Sequence, residues 1–222
     1  IDNSASDTVW NLSPYCISIF LVTSGNYPGE IAMDAPGNIY TANYGSDTVS
    51  KITPEGISTI LGTTGSGPFG IAVDAAGNIY TTNNVSNNVS KITPDGTSSI
   101  LGTTGSSPCG IALDAAGNVY TANYYMNNVS KITPEGISTI LGTTGSLPQA
   151  IAIDVAGNVF TSNWGSNNVS KITPDGTSSI LGTTGSSPWG VALDTAGTAY
   201  TENYDMNKVY KLTPEGLQTT LG

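Results

Sequence analysis

The sequence predicts an all-β protein, a β-propeller of four-stranded blades, on three observations. The phrase Lys51-Ile-Thr-Pro-Glu-Gly56 returns at Lys91, Lys131, Lys171 and Lys211, each forty residues after the last. A second phrase, Ile31-Ala-Met-Asp-Ala-Pro-Gly-Asn-Ile-Tyr40, returns at Ile71, Ile111, Ile151 and Val191 with the same spacing. Apolar residues alternate over short runs bounded by Gly, Pro, Asn and Asp, and no segment carries the three-to-four residue apolar spacing of a helix. A period of this length belongs to solenoids or propellers. The units lack a helical half, which disfavours the leucine-rich and ankyrin solenoids, and forty residues is far more than a β-helix coil needs. One meander cannot bury both of its faces, so stacking units around an axis is the economical way to make the core continuous.

The unit beginning at residue 67 shows how each element is read. After Pro68 a first strand, Gly70-Ile-Ala-Val73, is ended by Asp74-Ala-Ala-Gly-Asn78, where Gly supplies a positive φ and Asp accepts backbone N–H bonds. The second strand is Ile79-Tyr-Thr-Thr-Asn83, and the loop Asn84-Val-Ser-Asn-Asn88 leads to the third, Val89-Ser-Lys-Ile-Thr93. Pro94-Asp-Gly96 closes a type I or II turn with Pro at its second place, and Thr97-Ser-Ser-Ile-Leu-Gly102 is the fourth strand. Blades are expected at 27–66, 67–106, 107–146, 147–186 and 187–222 of a single domain. Residues 1–26 hold only third- and fourth-strand material: Ser6 to Pro14 align with Ser46 to Pro54, and Ile17 to Leu21 with Ile57 to Leu61. Ile19, Val22 and Asn11 stand where the next unit has Thr59, Gly62 and Lys51, so this hairpin is expected to be more deeply buried. A ring with six positions, the last partly filled by the hairpin, is favoured, and a five-bladed ring with the hairpin on its side is the alternative.

The residues of these phrases resemble the NHL-repeat and virginiamycin-B-lyase-like propellers, whose units carry a Pro-x-Gly-Ile-Ala-Val-Asp, Gly-Asn-Val-Tyr-Val-Thr and Asn-x-Val-x-Lys pattern. The resemblance covers nearly all of 27–222. Its lyases and amidating lyases place histidines on the axial face, and this chain has no histidine. The resemblance therefore implies the fold and transfers no catalytic residue, and the chain is expected not to be an enzyme.

Composition removes further classes. A net charge of −10, from 16 acidic residues against six lysines and no arginine, opposes capture of phosphate backbones, so no nucleic-acid partner is expected. The longest apolar run, Ile17 to Val22, is too short to span a bilayer, and no basic start precedes an apolar centre. Position 1 is Ile rather than Met, which fits a processed secreted protein or a piece of a longer one. An extracellular or cell-surface location is expected. Cys16 and Cys109 occupy different positions of their repeats, so nothing marks them as a pair.

Near-copies within one chain can be sorted into positions that repeat and positions that vary. Asp34, Asp74, Asp114, Asp154 and Asp194 repeat, each three residues before a Gly. A ring of cation ligands is one reading, but the alternating oxygens of a calcium loop are missing and turn capping accounts for all five, so no metal or cofactor is expected. Asn43, Asn83, Asn123, Asn163 and Asn203 also repeat, at the end of the second strand, where scaffold is favoured over ligand. Triplets at Asn11, Asn84, Asn88, Asn128 and Asn168 match the glycosylation acceptor, an incidental match in a chain this rich in Asn and Ser.

The varying positions fall at two places. Before the first strand stand Gly29, Phe69, Cys109, Gln149 and Trp189. After the recurring Asn come Tyr44, Asn84, Tyr124, Trp164 and Tyr204, followed by Gly45, Val85, Tyr125, Gly165 and Asp205. Both places lie at one end of a meander, so these side chains should line one axial face, with Glu30, Glu202 and Asp205 as its acids. Exposed aromatics at a concavity suit stacking on sugars or anchoring a protein segment. Inter-blade plugs are the bland reading, but plugs in near-identical units would be alike. Cys109 has no histidine or basic cluster to activate it and is expected as a partly buried thiol. The ranking is a glycan- or protein-binding module first, then a structural subunit of an extracellular assembly self-associating through its incomplete blade, and last a carboxylate-based enzyme.

Overall fold

The computed structural model describes residues 25–221 and, for strands 2–3, 8–12 and 18–23, the backbone. Among these residues there is no helix, and so none long and apolar enough to cross a membrane. The chain forms two compact units, 1–102 and 103–222. The first contains a three-stranded sheet followed by four-stranded sheets I (28–63) and II (68–103, ending at the unit boundary). The second contains sheets III (108–143), IV (148–183) and V (192–220). Each four-stranded sheet is an antiparallel meander whose strands lie in chain order, as the short Gly-bearing connections require.

Sheet III shows the common plan: Pro108–Leu113, Val119–Asn123, Asn128–Ile132 and Ser138–Thr143. The first turn is fixed by Asp114, whose Oδ1 accepts from the amides of Ala116 and Asn118, both at 2.9 Å. Its Oδ2 accepts from Asn118 Nδ2 at 2.7 Å and the Tyr120 hydroxyl at 2.9 Å. Burial alone would raise this carboxyl's pKa, but the four bonds outweigh it and hold Asp114 below the usual carboxylate range. Turn capping therefore uses both oxygens, as the scaffold reading of the repeated Asp requires. Gly117 sits at φ +81°, which a side chain with Cβ would resist. In the second turn Gly136 N–H donates to Thr133 O at 2.8 Å, and Glu135, in the third place, is not left-handed, so the turn is type I rather than II.

The first strand starts two residues before the expected Gly70 in sheet II, because Pro68↔Asn83 pairing is followed by a register shift before Ile71. This bulge recurs in sheets I, III and IV. The N-terminal segment holds three strands, not two, since Asp2–Asn3 pairs with Thr8–Leu12 ahead of Ser18–Thr23. The expected burial of its side chains, and Cys16, lie outside the described residues.

Within the first unit, Tyr40, Ala42 and Val49 of sheet I pack on Ile71, Ile79 and Ile92 of sheet II. In the second, Tyr120, Ala122 and Val129 of sheet III pack on Ile151, Val159 and Ile172 of sheet IV. Phe160 and Val169 of sheet IV then pack on Ala199 and Leu212 of sheet V. Each fully buried Ile or Val contributes on the order of 2 kcal/mol of apolar transfer. Lysines cover the aromatic rim: Lys131 Nζ lies 5.5 Å from the Tyr120 ring and Lys171 Nζ 5.5 Å from that of Phe160.

A polar clasp adds to the apolar contact. Asp47, Asn127 and Asn167 are left-handed, and their Oδ1 atoms accept from the amides of Gly67, Leu147 and Ser187 in the loop leading into the next sheet, at 2.8, 2.8 and 2.9 Å. Neighbouring first strands also approach closely. A Cβ on Gly110 would lie 2.9 Å from Ala150 Cα and 3.0 Å from Gln149 O, both backbone atoms. Gly110→Ala should therefore lower stability by about 1–3 kcal/mol, checked by urea denaturation, and an unchanged midpoint would show that the strands yield without cost.

Candidate functional site

Both sets of varying residues lie at one end of their sheets, as backbone bonds show. The amides of Tyr124, Trp164 and Tyr204 donate to Ser107 O, Leu147 O and Ser187 O at 3.0, 3.0 and 3.1 Å, joining the loop after the second strand to the loop before the first. In the first unit Tyr44 and Asn84 do the same with Tyr27 O and Gly67 O, at 2.9 and 2.8 Å.

In the second unit three rings from two sheets meet. Trp164 and Trp189 are 5.1 Å apart between centroids at 72°, an edge-to-face pair, and Tyr204 lies 6.0 Å from Trp164 and 6.3 Å from Trp189. Trp164 is half-buried, whereas Trp189 is 42 % and Tyr204 71 % exposed. Trp189 is placed by its backbone: its amide donates to Glu202 O at 3.0 Å, and its carbonyl accepts from Ser162 Oγ at 2.6 Å. Beside the rings, Asp205 accepts from Ser187 Oγ and, at 3.3 Å, from Ser186 Oγ.

The other candidates are more scattered in kind. Tyr124 and Tyr125 form a second edge-to-face pair at 5.1 Å, with Tyr125 exposed. Burial foremost, then the neighbouring Tyr125 and Cys109, raises the pKa of Tyr124. Cys109 and Gln149 are buried, and the Cys109 thiol donates to Ser107 O at 3.7 Å. Tyr44 is exposed, and Phe69 and Asn84 are half-buried in the first unit. Glu202 acts on the backbone: its Oε1 accepts from Gly190 N–H at 2.9 Å, an amide next to the bulge position. Thr82 Oγ1 and Ser162 Oγ do the same for Gly70 and Ala150, at 2.8 and 3.2 Å.

The repeated Asn is buried scaffold. Asn123 Oδ1 accepts from Thr121 Oγ1 at 3.0 Å, and its Nδ2 donates to Asn128 Oδ1 at 2.7 Å and to Ser130 Oγ at 2.8 Å. Ser130 Oγ accepts in turn from Gly105 N–H at 3.2 Å. Ser186 and Ser187 beside the rings were not singled out in the sequence, since Ser at those places also occurs at Ser106 and Ser107 and carries no mark of its own.

Residues 15–212 match the family model described as the virginiamycin B lyase family. The chain belongs to that family. No curated protein sequence matches it. Among solved structures it is similar to the virginiamycin B lyase of Staphylococcus aureus, with TM-score 0.77 and 19% identity over 87% of this chain and 69% of that one. It is similar also to a catalytically inactive histidine-to-alanine variant of the same lyase with quinupristin, TM-score 0.76 and 19% identity over 87% and 69%. A chain of a nidogen/laminin complex aligns with TM-score 0.75 and 17% identity over 97% and 90%. At these identities the likeness shows the fold, and this virginiamycin B lyase family member is a β-propeller whose five four-stranded sheets are blades.

Proposed function

We propose that this family member is a non-enzymatic binding propeller whose Trp164–Trp189–Tyr204 cluster stacks on the apolar face of a sugar. The observation that carries the reading is the cluster itself: three rings converge from two blades at the loop end, two of them open to solvent. Sugars present a C–H face to such rings and hydroxyls to flanking acceptors, and Asp205 with Ser186 stands beside them. A protein segment at the same end is the second reading, favoured by the likeness to a chain crystallised in a nidogen/laminin complex.

Lyase chemistry is not part of the proposal. A relative named as catalytically inactive has lost a histidine, and these 222 residues contain none. Two carboxylates of blade V are engaged, Glu202 with the Gly190 amide and Asp205 with Ser187.

A glycan array followed by calorimetry tests the proposal. Trp189→Ala and Trp164→Ala should each weaken binding of any hit about tenfold or more, the usual loss at a central aromatic. Undiminished affinity in both variants, or binding of a peptide library and no glycan, would remove the sugar reading.

A further inference from the structure

Asp205 ties together the two loops that carry the exposed rings. It follows Tyr204 in the chain, and its Oδ2 accepts from the hydroxyls of Ser186 and Ser187, in the loop that leads to Trp189. Both bonds fall on one oxygen. Among the described residues Oδ1 accepts from no protein donor and Asp205 forms no ion pair, although its side chain is exposed. No other blade has an acid at this place, where Gly45, Val85, Tyr125 and Gly165 stand instead. The rings of the cluster are likewise without a cation. Elsewhere Lys51, Lys91, Lys131 and Lys171 lie 5.9, 5.6, 5.5 and 5.5 Å from the rings of Tyr40, Tyr80, Tyr120 and Phe160. Among the described residues no lysine lies over Trp164, Trp189 or Tyr204.

We infer that the sugar taken by this cluster carries a free, protonated amine, an inference that rests on the sugar-stacking reading and narrows it. An aromatic face attracts an ammonium through its quadrupole, and Trp does so most strongly. The open Oδ1 of Asp205 supplies the counter-charge and a charge-assisted acceptor on the loop next to Tyr204. A hydroxyl or an acetamide can donate to the same oxygen but has no charge for the rings or the carboxylate to hold. A uronate or a sulfated sugar is repelled by Asp205 and by the net charge of −10, the same field that draws cations toward the molecule.

Calorimetry of the whole chain with oligomers of glucosamine, and with the same oligomers N-acetylated, tests the inference at about pH 6, where the free amine is protonated. The two probes share a backbone and differ in charge. The amine form should bind at least about fivefold more tightly. Asp205→Asn, with an unchanged circular dichroism spectrum, should bring the two affinities together. Should that variant misfold, a salt titration of the unmodified chain replaces it, and the preference should shrink between about 0.05 and about 0.5 M salt. Equal or tighter binding of the N-acetylated form, a preference that survives Asp205→Asn in a folded protein, or one indifferent to salt would each overturn the inference. Binding of neither probe removes it alone if the glycan array returns a neutral or acidic sugar, and removes the sugar reading with it if the array is blank.

Discussion

Asn123→Ala should destabilise blade III by about 3 kcal/mol, and Asn203→Ala should cost blade V about 1 kcal/mol, although the two residues are equivalent by sequence. The difference lies in their partners. Asn123 is fully buried and joins Thr121, Asn128 and Ser130 through both ends of its amide, and truncation leaves three buried polar groups short of a bond. In blade V the serine is replaced by Tyr210 and the loop-end Asn by Lys208. Asn203 keeps one bond, from Nδ2 to Ser186 O at 2.9 Å, while its Oδ1 is buried without a partner. Neighbour-dominated repeat proteins respond locally, so the measurement is hydrogen exchange resolved by blade, read beside urea midpoints. Equal losses at the two positions would mean that the network contributes nothing beyond packing.

Stability should fall as pH rises from about 5 to about 8, by at most about 3 kcal/mol, and Glu30→Gln should abolish most of that fall. Glu30 stands on the first strand of blade I where the other blades have Gly70, Gly110, Ala150 and Gly190. Burial pushes its carboxyl from 4.5 up to about 7, with the Ile71 amide pulling partly the other way. A folded pKa above the unfolded one means that the fold favours the protonated form. The stabilisation is complete below 4.5 and is lost as pH climbs through about 7. The figure is an upper limit, because the side chain is only half-buried and solvent screens the charge. Carboxylates such as Asp74 and Asp114 are held low and change stability in the opposite sense, but at pH values below this window. Thermal midpoints across pH for the two chains decide the matter. Parallel curves would show that Glu30 is not the titrating group.

The fold was legible because its punctuation is chemical: Asp and Gly at one turn and Pro and Gly at the other recur with the strands between them. What escaped has physical reasons. A bulge breaks strict alternation, so Pro68 and Phe69 gave no strand signal, and two residues such as Asp2–Asn3 cannot display a period at all. Variation between units pointed to Trp164, Trp189 and Tyr204 as candidates, but not to which side chains at the bulge position reach solvent. Cys109 and Gln149 are buried, whereas in blade V, where the first strand is reduced to Ala192–Leu193, Trp189 is exposed. The role of Glu202 was written in its column, where Thr82 and Ser162 are also polar, yet its charge drew attention to chemistry instead of to Gly190.

The clasp has a consequence for biogenesis. Asp47, Asn127 and Asn167 each reach an amide twenty residues downstream, and every blade offers nearly the same hook and the same eye. A newly made chain that skips one repeat still finds a partner of the right shape, and such misassembly is the characteristic failure of repeat proteins.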